Sequence, residues 1–101
     1  MNREVHRYNF ESSVLPEEIE SSVLLAILAA EGLHGQSQVR LDARYLFDAE
    51  KRACVIDAST DVGRDVSRIF AGFAIREFGE SSFTVERIAG APEPEKEEVA
   101  G

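Results

Sequence analysis

The chain has 101 residues, 44% of them hydrophobic and 30% charged, and a net charge of −8. That length holds one hydrophobic core, and that charge excludes a nucleic-acid module or an anionic-membrane binder that relies on a broadly basic surface. One cysteine excludes an internal disulfide framework and a cysteine-built zinc site, and the absence of a membrane-length apolar run or a signal-peptide pattern sets the expectation of a soluble, cytoplasmic domain.

Val5, His6, Tyr8 and Phe10 mark a first strand between Glu4 and Glu11. Pro16 then opens a helix, with Glu17, Glu18 and Glu20 near its positive end. Gly32 is expected to end it, with Gly35 in the same loop. From Gln38 to Asp48 the apolar residues alternate: Val39, Leu41, Ala43, Tyr45 and Phe47 on one side, Gln38, Arg40, Asp42 and Arg44 on the other. Period 2 predicts a half-buried second strand. A polar turn, Asp48 to Lys51, leads into a third strand from Arg52 to Ala58. Ser59, Thr60 and Asp61 are good helix caps; the helix they start is expected to run to Phe78 and stop at Gly79. Ser82 to Ala89, with Phe83, Val85 and Ile88, reads as the last strand. In Ala91 to Gly101 four glutamates outweigh one lysine and two prolines break any ladder, so residues 91–101 read as a disordered acidic tail on a domain of residues 1–90.

The predicted order is therefore β-α-β-β-α-β. Right-handed crossovers give it one familiar solution, the ferredoxin-like α+β fold. It has a four-stranded antiparallel sheet in the order 4-1-3-2, with two helices on one face.

Within the expected hairpin, Tyr45 faces Cys54, Ala43 faces Ile56 and Leu41 faces Ala58, all toward the helices. Asp42 then lies opposite Asp57 on the uncovered face, flanked by Arg40 and Arg44, with Arg7 in reach of Asp57. Like charges across a ladder destabilise it. The group reads either as a salt-bridge lattice or as an anion or metal site or an acid–base pair. Tyr45 and Phe47 point to the core, as do Tyr8 and Phe10, which leaves that face without the stacking aromatics of RNA-binding sheets.

At about 100° per residue, Ile19, Val23, Ala26, Ile27 and Ala30 form the core stripe of the first helix. Val62, Val66, Ile69, Phe70 and Phe73 form that of the last. A second apolar set remains: Leu24, Leu25 and Leu28 on one helix, Ala71, Ala74, Ile75 and Phe78 on the other. Two layers leave the outer side of the helices uncovered. Leu24, Leu28, Ala71, Ile75 and Phe78 are therefore the expected interface, an apolar patch on the order of several hundred Å². A second copy, most simply in a twofold dimer, or another protein is its expected partner.

Residues with chemistry to offer are few. His6 shares the parity of Tyr8 and Phe10, and His34 follows the first helix between two glycines, placed to cap its C-terminus or meet a ligand. Cys54 lies mid-strand on the core side and reads as a small hydrophobe. No metal spacing, nucleophile elbow, P-loop or cofactor loop is present in the sequence. Three readings follow in order. The first is a non-catalytic module that self-associates or docks on a protein partner through the outer faces of its helices. The second is a ligand sensor, with its site at a subunit boundary or at Arg40, Asp42, Arg44, Asp57 and His34. The third is a small enzyme using Asp42, Asp57 or His34.

Overall fold

Alternation in the first strand places Tyr8 and Phe10 on the covered face of a four-stranded antiparallel sheet, where both are buried. In the computed structural model, which describes residues 3–89, the elements run β1 (Glu4–Phe10), α1 (Pro16–His34), α2 (Gln36–Asp42), β2 (Tyr45–Asp48), β3 (Ala53–Asp57), α3 (Asp61–Phe78) and β4 (Phe83–Ala89). The sheet order is β2-β3-β1-β4, which is the expected order read from the other edge. The fold is α+β with three helices rather than two. The acidic tail expected over residues 91–101 lies outside the described residues.

The third helix corrects the second strand. Residues 36–42 are helical, and β2 keeps only Tyr45–Asp48. Gly35, at φ 86°, ends α1 with its N–H on the Glu31 carbonyl and lets the chain turn at once into α2. A positive φ there is easy for glycine and costly for other residues. In α2 only Val39 is buried, and Leu41, expected in the core, is 66% exposed. Gly32 does not end α1, which runs on to His34.

The hairpin register is corrected as well. Tyr45 pairs with Ile56 and Phe47 with Cys54, not Tyr45 with Cys54. Asp48 pairs with Ala53, so Ala49–Arg52 form the turn, and Arg52 closes it at φ 50°. The hairpin has slid by two residues. A slide of two keeps every side chain on its face, where a slide of one would have inverted the sheet. Tyr45, Phe47, Cys54 and Ile56 therefore still meet the helices.

The core lies between that face and the helices. Ile19, Val23, Ala26 and Ala30 of α1 and Val62, Val66 and Phe70 of α3 are buried, as the stripes predicted, and Ala74, expected on the outer side, is buried with them. Tyr8 meets Phe70 edge to face at 4.8 Å, and Phe10 sits 5.2 Å from Phe83 and 5.8 Å from Phe78. Thr60 caps α3, its Oγ1 accepting the Gly63 N–H at 3.0 Å. Of β4 only Phe83 packs against this core; Thr84 to Ala89 are exposed.

Cys54 is fully buried, and burial pushes its thiol up to about 12. Folded protein at pH 8 is therefore expected to resist a thiol reagent that labels it fully once unfolded, because the attacking species is the thiolate. The raised value also ties stability to alkaline pH. The buried thiol contributes fully below the ordinary value of 9.0, and its contribution is lost as pH rises toward about 12. Rapid labelling of the native protein at pH 8 would contradict this burial.

Candidate functional site

Pro16 and the glutamates after it fix the start of α1, and the buried stripe Ile19, Val23, Ala26 and Ala30 fixes which side faces the sheet. The remaining side then has to face outward. From Ser21 to Leu33 the exposed residues of α1 carry no charge: Ser21, Leu24, Leu25, Leu28, Ala29, Gly32 and Leu33. Leu28 is 60% exposed and Leu24 47%. On α3, Ile75 is 47% exposed, and Ala71 is half-buried. Phe78 belongs partly to the core, since its ring packs on Phe10. Its half-buried position shows why its stripe looked external: it reaches round the flank of α3 to the sheet. Ala74, from the same stripe, is completely buried.

Between the two helices runs a groove of about 410 Å³. Ser21, Ser22 and Leu25 line it from α1, Phe73 and Phe78 from α3, with Glu18, Arg76 and Glu77 among its charged members. Small residues on one wall and aromatic ones on the other give a slot that accepts an apolar side chain, with charges to set its orientation.

The residues expected to form a ligand site are separated. Arg40 and Asp42 stand on α2 rather than on the sheet, and Asp42 accepts a hydrogen bond from Gln38 at 2.6 Å. The pairing of Asp42 with Asp57 therefore does not occur. Arg44 does stay beside Asp57, whose N–H donates to the Arg44 carbonyl at 3.0 Å. The buried carboxylate of Asp57 is met by the guanidinium of Arg3 and by the Ser59 N–H at 2.9 Å. Arg7, the partner expected for it, turns instead to Asn9 and Glu86. Pairing with Arg3 and the Ser59 amide is what makes a buried carboxylate tolerable there. His34 lies apart from all of these, bonded through Nε2 to Asp65 at 2.7 Å. That contact joins the end of α1 to the start of α3.

One cluster was not read from the sequence. His6 Nδ1 is 2.6 Å from Ser67 Oγ, and His6 Nε2 is 2.9 Å from Glu4 Oε2. Tyr8 reaches both Ser67 Oγ, at 2.7 Å, and the Ser67 carbonyl, at 2.9 Å. The hydrogen bond with His6, aided by Arg87, holds the Glu4 carboxyl below the usual carboxylate range, and burial pushes the Tyr8 hydroxyl above the usual phenol value. Serine, imidazole and carboxylate in line have the order of a hydrolytic relay. Here Ser67 is 2% exposed and shares its hydroxyl with Tyr8, so no substrate carbonyl can approach it. The arrangement fastens α3 to β1. Its signal was present: Ser67 sits within the core stripe of α3, and a buried hydroxyl needs partners, which the shared parity of His6 and Tyr8 supplies.

Among the described residues no group of three histidine, cysteine, aspartate or glutamate side chains is placed to hold a metal ion. Among them, too, no helix is long and apolar enough to cross a membrane. The sequence matches no protein-family model, and no curated protein is detectably similar to it.

Proposed function

We propose that this protein is a non-catalytic association module, built on a ferredoxin-like frame, that pairs with a second copy of itself through the outer faces of α1 and α3. The observation that carries this reading is the uncharged outer side of α1 from Ser21 to Leu33, where Leu24, Leu25 and Leu28 stand open to solvent beside the groove between the helices. Single exposed leucines are ordinary on a monomer. Three within five residues of one helix, bordering a slot of leucine size or more, make a face that gains from being covered. The frame itself is supported by the β2-β3-β1-β4 order, with α1 and α3 in the connections that split β-α-β units use.

Light scattering over a dilution series tests the reading. The wild type is expected to be a dimer that dissociates on dilution. Leu28→Glu is expected to be a monomer with the same circular dichroism, because Leu28 touches too little of the core to matter for folding. A wild type that is monomeric at every concentration, or a Leu28→Glu variant that dimerises as before, would overturn it.

A further inference from the structure

We infer that the hydrogen-bond chain joining β1 to α3 is a pH-sensitive clamp, complete when both ring nitrogens of His6 carry a proton and one proton short when only one does. This holds whether or not the protein self-associates.

Protons can be counted along the chain. It has four contacts in line: Glu4 Oε2 with His6 Nε2 at 2.9 Å, His6 Nδ1 with Ser67 Oγ at 2.6 Å, Ser67 Oγ with the Tyr8 hydroxyl at 2.7 Å, and that hydroxyl with the Ser67 carbonyl at 2.9 Å. The two ends, an ionised carboxylate and a carbonyl, can only accept. All the protons must therefore come from the groups between them. Tyr8 and Ser67 supply one each, and a neutral imidazole supplies one more, so one contact of the four stays empty. An imidazolium closes the gap. The ring then donates to Glu4 from Nε2 and to Ser67 Oγ from Nδ1, the Ser67 hydroxyl donates to Tyr8, and the Tyr8 hydroxyl donates to the Ser67 carbonyl.

Burial gives the missing proton its weight. Tyr8 and Ser67 are each 2% exposed. Two acceptors left facing each other there have no water to turn to, and an unmade bond costs more where water is absent.

The groups around His6 leave it as the part of the chain that changes. Glu4 lies two residues away on its own strand. Arg87 stands opposite on β4 and donates to Glu4 Oε2 at 3.3 Å. Ile56 stands opposite on β3. On α3, Arg64 is bound to Asp61 and the Ala58 carbonyl, and Arg68 to Asp65. The bond from His6 holds the Glu4 carboxyl below the usual carboxylate range, so it remains ionised in mild acid. Burial holds the Tyr8 hydroxyl above the usual phenol value and the Cys54 thiol near 12, so both keep their protons in mild base. Histidine is the side chain that ordinarily changes charge between about pH 5 and 8. The clamp is therefore complete on the acid side of that range, and its contribution is lost as pH rises through it.

Urea titration at about pH 5.5 and about pH 8 tests the clamp. His34, the other histidine, is bonded to Asp65, so the measurement is made in a His34→Asn background. There the ratio of folded to unfolded protein is expected to fall on the order of fivefold from the lower pH to the higher, the worth of one hydrogen bond. Adding His6→Asn should abolish the fall, since an amide donates to Ser67 at either pH. Adding Ser67→Ala should abolish it too: the chain is cut, and a neutral ring then has the one proton that Glu4 needs. Ser67→Ala favours the helix, and it decides the matter should His6→Asn fail to fold. A background protein with no such fall, or an equal fall that persists in either folded variant, would overturn the clamp.

Discussion

Phe70→Ala is expected to destabilise the fold by about 3–5 kcal/mol, the range for emptying a fully buried aromatic site. Phe70 has no solvent exposure and lies at the meeting point of three elements. Its ring meets Tyr8 edge to face at 4.8 Å and Phe10 at 6.0 Å, and α3 carries it down onto β1. The void left by alanine would be lined by aromatic rings and by Val66 and Ala74, none of which is free to collapse into it, because the Tyr8 hydroxyl is tied to Ser67. Domains of this size typically hold about 5–15 kcal/mol in all. The variant should therefore unfold at a much lower urea concentration, with the slope of the transition preserved. A loss under about 1.5 kcal/mol would mean that the core repacks far more easily than this geometry allows.

Gly63→Ala is expected to cost about 3 kcal/mol or more, at the upper end of overpacking effects. The direction opposes helix propensity, which favours alanine by about 1 kcal/mol. Gly63 lies in the first turn of α3, pressed against the end of β3. A Cβ there would stand 1.9 Å from the Asp57 carbonyl oxygen, with Thr60 Oγ1 at 3.3 Å. Neither neighbour is a flexible side-chain end. The Asp57 backbone is held by the Arg44 carbonyl and its carboxylate by Arg3 and Ser59, and Thr60 is the cap of the helix. Gly72 supplies the control. It is exposed in the same helix with nothing within 4 Å of its added Cβ, so Gly72→Ala should raise the melting temperature while Gly63→Ala lowers it sharply. Equal shifts in the two variants would refute the close approach.

These positions also show what was legible in the chain. Long helices with repeating buried positions could be read: Ile19 to Ala30 and Val62 to Phe70 repeat over several turns, and Pro16, Thr60 and Gly79 mark their ends. The sheet order followed from element order and crossover handedness, so it survived an error in one element. That error was α2. A seven-residue helix that buries only Val39 shows no period of its own. Chance alternation of Val39, Leu41 and Ala43 then joins the true alternation of Tyr45 and Phe47. Composition carried the missing signal, since Gln36, Gln38, Arg40 and Leu41 favour helices and only Val39 in that stretch is β-branched. The ligand constellation failed with the strand it stood on: once Arg40 and Asp42 move to α2, nothing brings them to Asp57. The exposure of Leu24, Leu25 and Leu28 was legible because it depends only on the phase of α1, which its buried stripe fixes. Phe78 was placed outside because a wheel gives direction and not reach.

The middle position of β1 in the sheet sets a condition on how the chain is made. β1 is the first element of the sheet to leave the ribosome, yet both of its neighbours come late: β3 pairs with it across some fifty residues and β4 across some eighty. β1 and β2 do not touch as strands, so the N-terminal half contains no ladder that can form by itself. Native structure must wait until β4 is available to cover the last open side of β1 and bring Phe83 onto Phe10. Pairings this distant close slowly, and until they close, Tyr8 and Phe10 of β1 stand on an exposed nascent segment. Synthesis therefore leaves a long interval in which α1 is present without its sheet.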